Sequence, residues 1–350
     1  MENVSTIQEY LDNKFQAEPF ISIIIPYYNE ESVIVECHQR LVRVLNQLGQ
    51  VCEIVYVDDG SEDSSWERLQ SLLIPHAKFN LGAEKKTLPM HQVRCLRLSR
   101  NFGKEAAMCA GLQQAKGQAV IVLDADLQDP PELIPAMVTE WKKGVDVVDM
   151  KRKTRHGESW FKCVSANLYY QLINYLSDIH IPENVGDFRL LDRRVVDEVN
   201  RLPERTRFMK GLFAWPGFKR TTLQFERERR FAGHTKWKYS KLLHLAFEGI
   251  TSFSTKPLRI ATIAGLIAST TALLLASFVI LKTWLYGDPV AGYPSLISVV
   301  LLLGGVQLLS IGVMGEYVGR LFIESKQRPL FVVMENIHFL GQQCKQDIKQ

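Results

Sequence analysis

Over its first two hundred residues the chain alternates short apolar runs with amphipathic stretches, and then it changes character. From Phe20 the run FISIII is unbroken until Pro26 and a polar turn, after which Val33, Val35, Leu41, Val44, Leu45 and Leu48 follow at helical spacing. An apolar run followed by an amphipathic helix is the pattern of a strand buried on both faces and its crossover. The unit recurs: CEIVYVDDGSED reads as strand and acidic turn, VRCLRLSRN as strand and turn, and EAAMCAGLQQAKG as a helix closing on Gly117. QAVIVLDADLQDPPE adds a strand, an acidic turn and a proline-initiated helix. This order predicts an α/β domain whose mainly parallel sheet is covered on both faces.

The later part is different. Residues 260–281 and 289–315 carry no charged side chain, and each stretch exceeds the roughly 20 residues that cross a hydrocarbon core. Just before them, Leu242, Leu243, Ala246, Phe247, Ile250 and Phe253 recur at helical spacing, the pattern of a helix lying in a membrane interface or of an ordinary core helix. After them RPLFVV, residues 328–333, reads as a short strand. Segment 71–92 is polar and irregular and reads as a surface insertion.

Composition adds the side of the membrane. The first residues are polar and mixed in charge, without the basic and apolar regions of a signal peptide, so the large N-terminal part is expected in the cytoplasm. Lys256 and Arg259 precede the first span and Arg320, Lys326 and Arg328 follow the second, which places both termini in the cytoplasm of a multi-pass inner-membrane protein. Six cysteines without paired spacing predict reduced thiols, neither bridged nor holding zinc. The overall charge of +4 conceals a segment, 217–259, with ten Lys and Arg against three Glu, a net +7. Such a patch beside the membrane is a topology signal, an attraction for anionic headgroups or a receptor for a lipid-linked phosphate; no nucleic-acid motif accompanies it, and no nucleic-acid partner is expected.

Ligands of parallel sheets bind at the carboxyl ends of the strands, and three polar clusters fall there: Pro26–Glu31, Asp58–Ser61 and Asp124–Gln128. Asp124 and Asp126, with Gln128, offer hard oxygen ligands suited to Mg²⁺ or Mn²⁺; the alternative is a solvated turn or helix cap. Asp58 could accept hydrogen bonds from a base or ribose, whereas Asp59 or Ser61 could simply cap the helix starting near Ser64. Tyr28 could pack on a nucleobase, with Pro26 and Asn29 beside it, and Glu30 could reach a ribose hydroxyl. Neither a dinucleotide fingerprint nor a P-loop occurs.

Taken together, SIIIPYYNEE, VYVDDGSED, RNFGKEAAMCAG, VLDADLQDPPE, VGDFRLLDR and FAGHTKWKYSKLLHLAFEGITSFSTKPLR resemble the family 2 inverting glycosyltransferases of the GT-A fold. Within that family they are similar to the polyprenyl-phosphate branch, bactoprenol glucosyltransferases and dolichol-phosphate mannose synthases. The resemblance covers residues 20–330. It implies a GT-A domain over 20–238 after an extension of residues 1–19, a juxtamembrane helix over 239–258, spans over 259–282 and 290–316 joined by a loop over 283–289, and a tail over 317–350. It implies a nucleotide pocket of Pro26, Tyr28, Glu30, Asp58 and Asp124, and a metal site of Asp124, Asp126 and Gln128. Asp126 and Asp187 would be catalytic, and Arg189, Arg207, Arg229, Lys236 and Lys238 would meet the diphosphate or the lipid phosphate. The implied reaction moves a hexose, with glucose from UDP-glucose first and mannose from GDP-mannose second, onto undecaprenyl or another polyprenyl phosphate. A nucleotide-sugar sensor or a transporter subunit is the non-enzymatic alternative, disfavoured by spans without intramembrane acids. Gly304, Gly305, Gly312, Gly315 and Gly319 supply small residues for helix packing and point to a homo-oligomer.

Overall fold

Strand alternation sorts the first apolar run onto two faces of one sheet. In β1 (Ile21–Tyr27), Ile21, Ile23 and Ile25 pack on one side and Ile24 on the other, all four without exposed surface. Burying each such side chain contributes about 1.5–3 kcal/mol. β1 lies between β2 (Glu53–Asp58) and β4 (Ala119–Val122), and β3 (Gln92–Leu98) continues beyond β2, with every pairing in this group parallel. These strands are the buried runs the sequence predicts, and they give the α/β architecture of the GT-A type its parallel centre.

The computed structural model describes residues 18–73, 91–153, 185–205, 207–226, 256–286, 292–340 and 343–346. The N-terminal extension to residue 17, most of the 71–92 segment, nearly all of the expected juxtamembrane helix, and Arg229, Lys236 and Lys238 lie outside them. One face of the sheet carries α1 (Ile34–Gln47), α2 (Ser65–Leu73) and α4 (Ile134–Lys142), the last entered through the short helical turn Pro131–Leu133. The other face carries α3 (Lys104–Gln114), α5 (Arg193–Arg201) and α6 (Met209–Leu212). Helix α3 comes so close to β1 that a Cβ on Gly111 would stand 2.3 Å from Ile24 Cγ2.

Outside its parallel centre the sheet is mixed. β6 (Val185–Asp192) runs antiparallel between β4 and β5 (Val147–Arg152), and β7 (Arg220–Phe225) pairs parallel with β5. The opposite edge is built by the end of the chain: β8 (Val333–Leu340) pairs antiparallel with β3, and β9 (Gln343–Gln346) with β8. The sequence places a strand at 328–333; the observed strand starts where that one stops, and within the predicted stretch Val332 accepts a bond from Ser99 N.

Between β7 and β8 the chain leaves the sheet as α7 (Lys256–Tyr286) and α8 (Tyr293–Lys326). Each is long and apolar enough to cross a membrane, with mean hydropathy of 1.8 over Leu258–Leu275 and 1.3 over Leu302–Lys326. At 1.5 Å per residue, α7 is about 46 Å long, more than a hydrocarbon core needs. Leu266, Leu273, Phe278, Leu302 and Leu308 are 64–72% exposed, and a Cβ on Gly304, Gly305, Gly312, Gly315 or Gly319 would meet nothing within 4 Å. The glycine positions therefore do not mediate packing between α7 and α8. Because β8 rejoins the sheet that α7 left, both ends of this hairpin return to the same body.

Cys37, Cys52, Cys95 and Cys109 are free and buried. His38 packs beneath the cluster on the α1 face, its Nδ1 2.9 Å from the Tyr56 hydroxyl. Burial, helped by His91, lowers its pKa from 6.5 to about 4. The neutral ring is thus favoured by the fold, so the unfolded chain takes up this proton first. His38 then costs stability as pH falls from about 6.5 to about 4, and adds no further dependence below that. Replacing it with Gln, which cannot titrate, should flatten the loss of thermal stability across that interval; an unchanged pH profile would show that His38 does not set it.

Candidate active site

The carboxyl ends of β1, β2, β3 and β4 converge on a cavity of about 290 Å³ lined by Pro26, Tyr28, Glu30, Asp59, Asn101, Gly103, Lys104, Asp124 and Asp126, among others. The turn after β1 and the turn after β2 are stitched together. Asn29 N donates to Ser61 Oγ at 3.0 Å, Glu62 N to Asn29 Oδ1 at 2.9 Å, Glu30 N to Ser65 Oγ at 2.8 Å and Glu31 N to Asp63 Oδ2 at 3.2 Å. Asn29 holds a positive φ of 54° to make these bonds, a conformation that Asn tolerates better than most residues. The result is a fixed edge carrying Pro26, Tyr28 and Glu30 into the cavity.

The Asp58-Asp59 pair divides its work in a way the sequence leaves open. Asp58 is fully buried and accepts from Ser61 N at 2.9 Å, with Arg97 Nε 3.5 Å from its other oxygen. Its Oδ1 shapes the turn, and the residue stands behind the cavity lining. Asp59 lines the cavity instead. Its two oxygens accept from Phe102 N at 2.8 Å and Gly103 N at 2.9 Å, fixing the turn after β3, and neither Asp59 nor Ser61 caps α2. That bond falls to Asp63, which accepts from Ser65 N at 3.0 Å. Gly60 allows the approach: its φ is +68°, and a Cβ there would lie 2.4 Å from the carbonyl carbon of Arg100.

The turn held by Asp59 delivers Lys104, the first residue of α3, into the cavity. Lys104 Nζ lies 2.6 Å from Asp124 Oδ1 and 2.8 Å from Asp124 Oδ2, and donates to Asp187 Oδ2 at 2.6 Å. One ammonium thus joins the end of β4 to β6 and holds Asp187 beside Asp124. Burial alone would lower the Lys104 pKa, but the two carboxylates outweigh it and raise the pKa above the ordinary lysine value. Burial would likewise raise that of Asp187; Lys104, with Lys210 and Arg189, outweighs it and holds the carboxyl below the usual carboxylate range. Asp187 is therefore a fixed anion and a weak base at neutral pH.

Asp126 is buried in the turn after β4, where its Oδ1 accepts from Gln128 N at 3.1 Å. Leu127 between them holds φ at 58°, a strained value for this residue type of the sort that marks functional turns. Arg40 on α1 donates to both oxygens of Glu132, at 2.6 and 2.8 Å, and so pins the segment that follows. Gln128 meets Asp126 through its backbone and does not line the cavity. No cluster of three or more His, Cys, Asp or Glu able to hold a metal occurs among the described residues. Two carboxylate side chains are nonetheless the donor set expected for Mg²⁺ or Mn²⁺ that completes its shell with water and substrate phosphate oxygens.

Two arginines assigned by resemblance to phosphate are committed elsewhere. Arg189 is 2% exposed, paired with Asp149 at 3.4 Å, bonded to Gly186 O at 2.7 Å and stacked 4.6 Å above the Phe213 ring. It shares a strand face with Asp187, but two residues further along β6 put it about 6.6 Å deeper, beneath the segment that follows α6. Arg207 is 8% exposed and donates to Leu202 O at 2.7 Å and Glu204 O at 3.1 Å, folding its own loop. Conversely, Asp59, expected at most to cap a helix, lines the cavity, and Asn101 and Lys104 line it too without having been singled out. Their signal was available: the RNFGK turn follows a parallel strand, so its position at the carboxyl edge was as well marked as that of the acidic turns.

A cleft at the carboxyl edge of a mainly parallel sheet is where α/β enzymes bind their ligands, and comparison with known proteins places the chain in a family. Residues 22–199 match glycosyl transferase family 2, and residues 256–321 match the GtrB C-terminal hairpin. The chain belongs to glycosyl transferase family 2 and is a glycosyltransferase. It is 49% identical to an uncharacterized glycosyltransferase of Synechocystis sp. over 315 residues, 90% of this chain and 95% of that protein. It is 43% identical to the bactoprenol glucosyl transferase of Shigella phage SfV over 314 residues, 89% and 97% of the two chains. A prophage bactoprenol glucosyl transferase homolog of Escherichia coli K12 matches at 42% over 89% of this chain and 98% of its own. Among solved structures, glucosyl-3-phosphoglycerate synthase from Mycobacterium tuberculosis, in complex with Mn²⁺, UDP-glucose and phosphoglyceric acid, aligns at a TM-score of 0.41 and 18% identity, over 70% of this chain and 81% of that one.

Gly60→Ala should destabilise the protein by about 1–3 kcal/mol and weaken nucleotide binding, because the added methyl pushes away the backbone that precedes Lys104. Gly103→Ala, where a Cβ would meet nothing within 4 Å, should strain only its own φ and cost less. Denaturant unfolding of both variants checks the order; equal costs would remove the close approach from the account.

Proposed function

We propose that this glycosyltransferase moves glucose from UDP-glucose onto a polyprenyl phosphate at the cytoplasmic face of a membrane, forming a β-linked lipid phosphosugar. The observation that carries the reading is similarity to bactoprenol glucosyl transferases over nine-tenths of the chain, catalytic domain and hairpin together. Pro26, Tyr28 and Glu30 would receive the nucleoside, with Asp59 fixing the wall beside them. Asp124 and Asp126 would hold Mg²⁺ or Mn²⁺, which supplies charge neutralisation where negative charge builds on the departing diphosphate. Lys104 keeps a second positive charge beside Asp124.

The acceptor oxygen belongs to a phosphate that is ionised at neutral pH, so no strong base has to remove a proton. Asp187, an anion tied to Lys104, fits the task of orienting the sugar hydroxyls or the acceptor. Attack in line with the departing diphosphate inverts the anomeric carbon, which gives the β product from an α-linked donor. Arg229, Lys236 and Lys238, rather than Arg189 or Arg207, remain for the lipid phosphate, since the latter two spend their donors inside the fold.

A lipid acceptor explains the hairpin. Apolar faces of α7 and α8 are turned outward, and Trp284 and Tyr286, 81% and 82% exposed at the far end of α7, suit the interfacial level where aromatic side chains concentrate. Lys256, Arg259, Arg320 and Lys326 stand at the opposite ends, the bias expected of the cytoplasmic side. The unpacked glycines of α8 leave that helix a surface for a second copy in the membrane.

Incubating the full chain with labelled UDP-glucose, UDP-galactose, UDP-GlcNAc or GDP-mannose and undecaprenyl or dolichyl phosphate tests this reading. Labelled lipid should form with UDP-glucose and undecaprenyl phosphate, and Asp126→Asn should reduce it by about 100-fold or more. Exchanging both Lys236 and Lys238 for Ala should raise the KM for lipid with little change in kcat. No labelled lipid from any donor would refute the assignment.

A further inference from the structure

Asp124 and Asp187 are joined by the ammonium of Lys104, beside a cavity that Asp124, Asp126 and Lys104 line. Lys104 Nζ lies within 2.8 Å of both oxygens of Asp124 and within 2.6 Å of Asp187. Its position is not incidental to a mobile side chain. The turn before it is clamped by the two bonds from Asp59, its Cα opens a helix packed on the sheet, and its two partners come from different strands. A divalent cation entering on Asp124 and Asp126 therefore meets a carboxylate whose two oxygens already face an ammonium.

We propose that Lys104 is a built-in competitor for the divalent metal, one that makes metal binding depend on the nucleotide. Resting on the metal and diphosphate reading above, this assigns the lysine two partners in succession. Without nucleotide, Lys104 neutralises Asp124 and Asp187, and a bare divalent ion has to displace one positive charge while approaching it closely. A nucleoside diphosphate brings its own negative oxygens, which complete the shell of the ion and give the displaced ammonium a new anionic neighbour, while Asp187 keeps its hold on the other side. The protein then does not collect metal ions at an open acidic cleft, and metal and donor enter as one unit.

Mn²⁺ binding to the purified full chain, measured by the loss of the free-ion paramagnetic resonance signal with and without UDP, tests this without any turnover. Wild type should bind Mn²⁺ weakly alone and about tenfold or more tightly with UDP, whereas Lys104→Met should bind Mn²⁺ alone about tenfold more tightly than wild type, since a like charge has been removed. The enhancement by UDP should shrink correspondingly in Lys104→Met, and Lys104→Arg should behave as wild type. Lys104→Gln serves if the Met variant does not fold, and Asp126→Asn identifies the ions bound at this site. Equal or weaker binding of Mn²⁺ alone by both neutral variants would overturn the role of Lys104 and leave the metal reading standing. Absence of Mn²⁺ binding in every arm, UDP included, would overturn both.

Discussion

The carboxylate of Asp59 links the end of β2 to the turn after β3 through two backbone hydrogen bonds, and the geometry of the cleft follows from that link. It accepts the N–H groups of Phe102 and Gly103 next to the point where Gly60 lets the two turns touch. α3 begins immediately afterwards, so the position of Lys104 is set by Asp59 rather than by its own long side chain. Lys104 in turn fixes the relation of Asp124 on one strand end to Asp187 on another. Three elements distant in sequence are thereby held in one charge arrangement, at the edge of the sheet where α/β proteins bind ligands.

Polar groups elsewhere in the sheet show how different a structural cluster looks. At the opposite end of the strands, Glu53 accepts from Ser22 Oγ at 2.5 Å and Lys116 N at 2.8 Å, with Arg94 3.7 Å away; Ser22, Glu53 and Arg94 are nearly or fully buried. Asp149 stands between Arg189 and Arg220 in a second buried group. These charges are paired within the fold, and none of their residues lines the cavity; removing one partner would strand the other without water. The cleft keeps its charges at a surface with room for a ligand, and that contrast separates the arginines that hold the protein together from the groups that can meet a phosphate.

Much of this was legible in the residues. Mostly apolar runs gave β1, β2 and β4, and the shorter apolar stretch between Arg94 and Arg97 gave β3, because strands buried on both faces leave few polar positions. The uncharged stretches gave α7 and α8 because nothing else in a chain is so long and so apolar. The acidic turns were found for the same reason, as polar clusters abutting buried strands. The sequence could not say which of two adjacent aspartates faces inward, since Asp58 and Asp59 differ only in which side of the turn they reach. Nor could it separate Arg189 from Asp187, two positions apart on one face, because depth along a strand depends on what covers it. Lys104 escaped notice because the RNFGK turn, though it ends a parallel strand like the acidic turns, holds no pair of like side chains to mark it, and β8 because its pairing with β3 spans more than two hundred residues of intervening chain.

The return of β8 also ties the hairpin to the catalytic body at both of its ends, which fits an enzyme whose acceptor remains in the membrane while its donor is soluble. In the proposed reaction, donor and lipid phosphate meet in this one cleft for a single displacement at the anomeric carbon. The most direct measurement is the proton coupling at the anomeric position of the lipid-linked product formed from UDP-glucose, read by nuclear magnetic resonance. The account expects the large trans-diaxial coupling of a β-linked glucose, and the small coupling of an α-linked product would contradict it.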